Sequence, residues 1–331
     1  MVEQDKPLVT ITGMTGYIGA EVTMQFLQDG GYRVRGTVRD PNNEAKIAPL
    51  REAFGEHFAG IELAQADLTD ADSLNRAIAG ATYVVHVASP ITGNLSTDED
   101  YKPAVDGTLA VVRACAEHRV RRLVITSSIS ACQNMLPPKP DVVNETHWSV
   151  VEGNAKISNY SKSKTLAEKA AWDFQASLPE DQRFDIVTIL PGFVNGPPLR
   201  KEYSASMGFA IRLMKGEIPE IRDDGIGTVD VRDVAFAHVQ AIKRPEAANR
   251  RFILVHSSPK FIDLAQPIID KYVPLGYPVT QTQGAPDPTS FITKFDNTAS
   301  REVLGVPYRD LAQTMVDCAD KLVELGIVTK P

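Results

Sequence analysis

The 331-residue sequence predicts a doubly wound α/β fold: a parallel sheet covered by helices on both faces, joined to a smaller C-terminal α/β lobe. Two observations predict it. Short runs rich in β-branched residues alternate with stretches of helical period through the first half of the chain. A cluster of glycines falls between the first such run and the first such stretch.

The elements follow in order. Leu8 to Thr12 (LVTIT) reads as a strand ending in glycine. Tyr17 to Gln28 then places Ile18, Val22, Phe26 and Leu27 on one helix face, and Gly30-Gly31 stops it. Arg33 to Val38 reads as the second strand. Ile61 to Gln65, Thr82 to Ala88 and Leu123 to Thr126 read as further strands, with Ala71 to Ala79 and Lys102 to His118 as helices between them. Ser158 to Ser177 is a strong helix and Phe184 to Leu190 a buried strand. Beyond Pro191 the prolines thicken, which predicts short helices and loops rather than a second autonomous sheet. Asp230 to Lys243 and Tyr308 to Leu325 are the clearest helices there. The expected division is a sheet domain over residues 1–190, rejoined by a segment at about 226–256, and a substrate-binding lobe formed mainly by 191–331.

Composition narrows the function classes. With 43% hydrophobic and 23% charged residues, the chain can bury a sizeable core, so a disordered protein is excluded. A net charge of −7 repels phosphate backbones and argues against nucleic acid as a partner. Cys115, Cys132 and Cys318 lack ligand spacing, and six scattered histidines show no paired geometry, so no metal is expected. No apolar run reaches the ~18 residues of a membrane span. Met1 to Pro7 lacks the basic start and apolar stretch of a signal peptide, so the expectation is cytoplasmic.

Gly13-Met14-Thr15-Gly16-Tyr17-Ile18-Gly19 has GxxGxxG spacing at a strand-to-helix turn. Glycines there permit a tight turn and close backbone approach, and the helix N-terminus suits a pyrophosphate. About 20 residues further on, where an acidic side chain would take a ribose 2′-hydroxyl, stands Arg39. A guanidinium suits a 2′-phosphate, and Lys46 on the following helix is a second candidate contact, so the predicted cofactor is NADP(H). Asp40 follows Arg39 and is expected to point away. Asp67 and Leu68 follow the third strand; Asp67 either accepts from the adenine amine or caps the next helix with Thr69 and Asp70. Val87, Ala88 and Ser89 are expected under the cofactor ribose.

Leu123 to Ser128 is an apolar strand ending in two hydroxyls. Tyr160 and Lys164, spaced i, i+4, share one helix face. A tyrosine hydroxyl has a pKa of about 10, and a neighbouring ammonium favours its phenolate, which brings it nearer to acid–base work. The Ser128 hydroxyl is placed to hydrogen-bond a carbonyl oxygen that gains charge.

With these residues in order, the sequence resembles an extended short-chain dehydrogenase/reductase of the dihydroflavonol reductase-like branch, alongside cinnamoyl-CoA reductases and yeast-type carbonyl (aldehyde) reductases. The carriers are TGMTGYIG (Thr12 to Gly19), VRGTVRDP (Val34 to Pro41), HVASP (His86 to Pro90), RRLVITSS (Arg121 to Ser128), YSKSKTLAEKAAW (Tyr160 to Trp172), PGFVNGP (Pro191 to Pro197) and VDVRDVAFAH (Val229 to His238). The resemblance implies a Rossmann sheet and NADPH-dependent reduction of an aldehyde or ketone by a monomer or homodimer. It implies that Tyr160 donates the proton, Lys164 holds the nicotinamide ribose, and Ser128, with Ser127 as the alternative, serves as the catalytic serine. It implies that Arg39 and Lys46 meet the 2′-phosphate, and that Pro191 and Val194 meet the nicotinamide carboxamide.

Asn159-Tyr160-Ser161-Lys162-Ser163-Lys164 departs from the NWYCYGK signature of cinnamoyl-CoA reductases, which turns the expectation from thioesters to small or aromatic carbonyl compounds. Ile129, Gln133 and Phe193 are the candidate substrate contacts, within stretches Ser89 to Thr92, Ile129 to Asn134 and Phe193 to Met214. The alternatives are a hydroxysteroid dehydrogenase or nucleotide-sugar epimerase on the same fold, and a catalytically silent NADPH-sensing protein. His86 and the Arg119 to Arg122 run are expected to be structural, the first in the core and the second solvated, and Cys132 is not expected to be a nucleophile.

Overall fold

In the computed structural model, residues 5–89, 97–201, 204, 206–286 and 292–330 are described; of Asp98 and Glu99 only the backbone is. The elements in chain order are β1 (Leu8–Thr12), α1 (Tyr17–Asp29), β2 (Arg33–Val38), α2 (Glu44–Phe54), β3 (Ile61–Gln65), α3 (Ala71–Ile78), β4 (Tyr83–His86), α4 (Lys102–Glu117), β5 (Arg122–Thr126), β6 (Val142–Val143) and α5 (Asn159–Ser177). They continue with β7 (Asp185–Pro191), β8 (Phe193–Asn195), α6 (Met207–Met214), β9 (Thr228–Asp230), α7 (Val231–Lys243), β10 (Arg250–Leu254), α8 (Phe261–Tyr272), β11 (Lys294–Phe295), α9 (Thr298–Glu302) and α10 (Leu311–Glu324).

Seven parallel strands form the central sheet in the order β3-β2-β1-β4-β5-β7-β10. The chain winds outward from β1 in one direction through β2 and β3, then returns to its other side with β4. Between β1 and β4 the winding reverses, and the crevice beyond the carboxyl ends of those strands is where such sheets receive ligands. β1 and β5 are buried at every position and β7 at all but its first, as expected of strands covered on both faces. α1 and α7 pack together on one face, while α4 and α5 pack together, with α3 beside α4. Two small two-stranded sheets, β8-β9 and β6-β11, flank the main one.

The central sheet draws its last strand from well beyond residue 190. β10 pairs in register with β7, Arg250 opposite Val187 through Leu254 opposite Pro191. Of the arginine run, Arg119 and Arg121 are exposed as expected, and Arg122 departs from expectation. Arg122 is buried, pairs with Asp185 at 2.8 Å, and donates through one nitrogen to the carbonyls of Ala241 and Arg244 at 2.9 and 2.7 Å. It ties the start of β5 to the C-terminal end of α7, where a cation meets the negative end of the helix dipole.

Candidate active site

The turn after β1 is glycine by necessity. Gly13 has φ +77°, and a Cβ there would stand 2.7 Å from the Ala88 backbone. A Cβ on Gly19 would run into the Gly13 carbonyl. Gly16 N–H donates to Gly13 O at 2.9 Å, closing the turn, and Gly16 then begins α1 with no side-chain cap and no acidic residue in the first turn. The first N–H groups of α1 thus remain available to an anion. Two contacts bind this turn to the second half of the chain: Tyr17 Oη donates to Gly196 O at 2.8 Å, and the Arg200 guanidinium donates to Thr15 O.

The turn opens into a cavity of about 930 Å³, at the upper end of the roughly 300–1,000 Å³ usual for ligand pockets. Its lining brings together Gly13, Thr15, Gly16, Tyr17, Ile18 and Gly19 with Arg39, Asp67, Leu68, Val87, Ala88 and Ser89. From the other side come Ser127, Ser128, Tyr160, Lys164, Pro191, Phe193 and Val194. Residues as far apart in sequence as Thr12 and Ser206 therefore meet in one space. Lys46 lies on α2, exposed, and outside this lining.

At the β2 end, the Arg39 side chain is 85% exposed and stands 3.8 Å from Asp67. Asp40 is turned onto the Asn42 N–H at 2.9 Å and lies outside the lining, as expected. Asp67 accepts from the Thr69 hydroxyl and N–H at 2.7 and 2.8 Å, which hold its carboxyl below the usual range, with Arg39 adding to the effect. The cap of α3 is Asp70, which accepts from Ser73 N–H. Asp67 is therefore left beside Arg39 at the cavity edge rather than serving as the cap itself.

At the β5 end, the two serines do different work. The Ser127 hydroxyl donates to buried Glu168 at 2.5 Å. Ser128, extended at φ −164° and ψ 155°, accepts from Ser130 N–H at 3.1 Å and starts the short turn Ile129–Ala131. α5 is capped by Ser158, which accepts from Ser161 N–H at 3.1 Å, and carries Tyr160 and Lys164 one turn apart on the cavity side. Tyr160 is 40% exposed, unusual for a tyrosine on a helix that packs against the sheet layer.

Two buried histidines support the floor. His86 Nδ1 lies 2.8 Å from Thr12 Oγ1, and burial, with Lys164 nearby, pushes its pKa down to about 3. His238 Nε2 lies 2.8 Å from Thr126 Oγ1 and Nδ1 2.7 Å from Val234 O; burial pushes it down to about 4. Both are neutral at pH 7, and His86 is a satisfied core residue as expected. Burial pushes the Cys132 thiol up to about 12, so it holds no thiolate at neutral pH.

Two candidate substrate contacts fall elsewhere. Ile129 is buried in a cluster with Cys132, Val143, Leu190 and Ile253, because the turn after Ser128 folds it back under β7. Gln133 lies outside the cavity lining, whereas Phe193 is within it and joins Phe209 and Phe261 in an aromatic wall with centroids 5.2–6.3 Å apart. Residues 90–92 and, within Phe193 to Met214, residues 202, 203 and 205 are outside the described ones. Ser204 and Ser206 line the cavity and Arg200 holds its glycine turn; all three fall within the stretch Phe193 to Met214, but no local motif singles them out. Among the described residues, no group of His, Cys, Asp and Glu could hold a metal ion, and no helix is long and apolar enough to cross a membrane.

Comparison with known proteins places this geometry. The chain is 32% identical to tetraketide alpha-pyrone reductase 1 of Arabidopsis thaliana, with 99% of each chain covered. It is 34% identical to cinnamoyl-CoA reductase 1 of the same plant, covering 96% of this chain and 90% of that one. The solved structure of yeast methylglyoxal/isovaleraldehyde reductase Gre2 complexed with NADPH superposes with a TM-score of 0.80 at 26% identity, covering 97% of this chain and 99% of that chain. Residues 9–254 match the model of the NAD dependent epimerase/dehydratase family. The chain belongs to that family, the extended short-chain dehydrogenases/reductases, and sits on its branch of reductases.

Proposed function

We propose that the chain is an NADP(H)-dependent oxidoreductase that reduces an aldehyde or ketone to the alcohol. One observation carries the reading: a single cavity joins an uncapped glycine turn and a basic strand end to a serine, a tyrosine and a lysine. The residues present fit the cofactor. A Cβ would fill the cradle at Gly13, the first turn of α1 lacks an acid, and Arg39 offers an exposed guanidinium where a 2′-phosphate would lie. The NADPH-bound Gre2 structure supports the same choice.

When bound, NADPH supplies the hydride. Gly13 to Gly19 would hold its pyrophosphate through backbone N–H groups, and Arg39, with Lys46 reaching from α2, its 2′-phosphate. Asp67 and Leu68 would flank its adenine, Val87 to Ser89 its ribose, and Pro191 and Val194 its carboxamide. At the reacting end the Ser128 hydroxyl donates to the substrate oxygen and stabilises its developing charge. Tyr160 delivers the proton to that oxygen. Lys164, one turn further along the same helix, would hold the ribose hydroxyls. Phe193 and the aromatic wall behind it favour an apolar substituent on the carbonyl carbon. Three buried free thiols fit a cytoplasmic setting.

The test is a panel of aliphatic and aromatic aldehydes and ketones, followed by loss of NADPH absorbance and repeated with NADH. Turnover with at least one carbonyl compound, and a higher kcat/KM with NADPH, is expected. A flat trace across the panel defeats the reductase reading, and equal kcat/KM for the two cofactors defeats the assignment of Arg39.

A further inference from the structure

Behind the reacting end lies a buried charged cluster with no role in cofactor or substrate binding. Glu168 is 1% exposed and sits on α5, one turn beyond Lys164. Its Oε2 accepts from Ser127 at 2.5 Å, and its Oε1 accepts from Thr188 of β7 at 2.8 Å and from Arg251 of β10 at 2.7 Å. Arg251 is nearly as buried; it also donates to the carbonyls of Glu145 and His147, each at 2.6 Å, and stacks on Trp148 with its guanidinium carbon 3.7 Å from the ring centroid. One carboxylate thus ties together the end of β5, the helix α5, and strands β7 and β10. Lys164, Ser127 and Glu168 also border a second cavity of about 20 Å³ behind the main one.

Removing two charges from water is costly, and a buried pair is weak as a source of stability. What it does supply is a fixed geometry, because neither partner can leave without stranding the other. The residue it fixes is Ser127, whose next neighbour along the chain is Ser128. A hydroxyl that must meet a developing oxyanion at about 2.7–3.1 Å loses its effect if its backbone shifts by a fraction of that distance.

We propose that Glu168, held by Arg251, is a positioning residue that acts through Ser127 to fix the strand end bearing Ser128 against the helix bearing Tyr160 and Lys164. This rests on the reading of Ser128, Tyr160 and Lys164 as the reacting groups. Ser127 has no separate part in the chemistry; its hydroxyl is the tether.

The experiment compares Ser127→Ala, Ser127→Thr, Glu168→Gln, the double variant Ser127→Ala/Glu168→Gln and Tyr160→Phe as full-length proteins, each assayed with a carbonyl substrate found in the panel. Ser127→Ala should lower kcat about tenfold, the size of a modest misplacement of one donor, with substrate KM and the NADPH Kd, read by cofactor fluorescence, within about twofold. Ser127→Thr, which keeps the hydroxyl, should recover most of the loss. The double variant should be no slower than Glu168→Gln alone, since both changes remove the charge-assisted bond from the Ser127 hydroxyl to the carboxylate. Wild-type kcat in Ser127→Ala overturns the proposal, as does full additivity in the double variant, which would mean that Ser127 acts on the substrate directly. Should Glu168→Gln not fold, the alanine and threonine variants of Ser127 still decide. Near-full turnover in Tyr160→Phe with normal NADPH binding would instead overturn the underlying reading, and would do so whatever Ser127 shows.

Discussion

One arginine–carboxylate pair stands at the β2 end of the cavity and another lies buried behind its opposite end, and the pairs are built on opposite terms. Arg39 and Asp67 stand 3.8 Å apart in solvent, with side chains 85% and 44% exposed. Arg251 and Glu168 meet at 2.7 Å with side chains 9% and 1% exposed, and every neighbouring donor is committed. An exposed pair is worth about 0–1 kcal/mol and can exchange one partner for a ligand at little cost. A buried pair cannot exchange at all. The difference teaches where this fold keeps its freedom: at the end proposed to accept and release a phosphate, and not at the end proposed to hold the reacting groups.

The comparison can be broken most directly at the buried end. Arg251→Leu should lower the unfolding free energy by about 3–5 kcal/mol in urea, because Glu168 is left charged and unpaired. Glu168→Met/Arg251→Leu should recover most of it. An Arg251→Leu protein as stable as the wild type would place both ends in the same class.

A second effect, smaller over the same range, comes from the histidines beneath the cavity. Their folded pKa values, about 3 and 4, lie below the unfolded value of about 6.5, so the unfolded chain binds the protons first. Their contribution is fully present above about pH 6.5 and is lost as pH falls toward the folded values, by up to about 1.4 kcal/mol per group per pH unit. The melting temperature should drop between pH 7 and pH 5.5, and less steeply in His238→Gln. A pH-independent melting temperature over that interval would contradict their neutral burial.

The smallest change in stability is expected at the exposed end. Arg39→Ser should alter the unfolding free energy by less than about 1 kcal/mol, yet reduce the NADPH-over-NADH ratio of kcat/KM by about 10- to 100-fold, the equivalent of one charge-assisted contact. An unchanged ratio would remove Arg39 from the cofactor site.

How much of this was legible in the sequence depends on how local each cause is. β1, β2 and β3 begin and end where the period and the flanking glycines put them, and α1, α3, α4 and α5 differ from expectation by one or two residues. The glycine turn, Arg39, Ser128, Tyr160 and Lys164 were readable because each depends on spacing along one strand or one helix. α8 was obscured because Pro267 lies inside it, and proline reads as a helix stop. Arg122 was misjudged as solvated since its partners, Asp185 and the end of α7, lie 63 or more residues away. Ile129 looked like a pocket residue from its place beside Ser128, but the turn that Ser128 starts directs it into a buried cluster. Glu168 and Arg251 are 83 positions apart, and nothing local distinguishes a buried glutamate on α5 from a solvated one.

The place of β10 has a consequence for synthesis of the chain. The strand pairs with β7 across about 60 residues, and α7, which covers α1, is made just before it. A nascent chain that has reached only residue 190 therefore presents β7 as an open, apolar sheet edge and α1 as an uncovered face. The sheet closes only when residue 254 has emerged from the ribosome. Until then this half of the chain exposes the kind of unpaired edge and apolar face that favours aggregation, and a chain ending near residue 190 would keep that surface exposed.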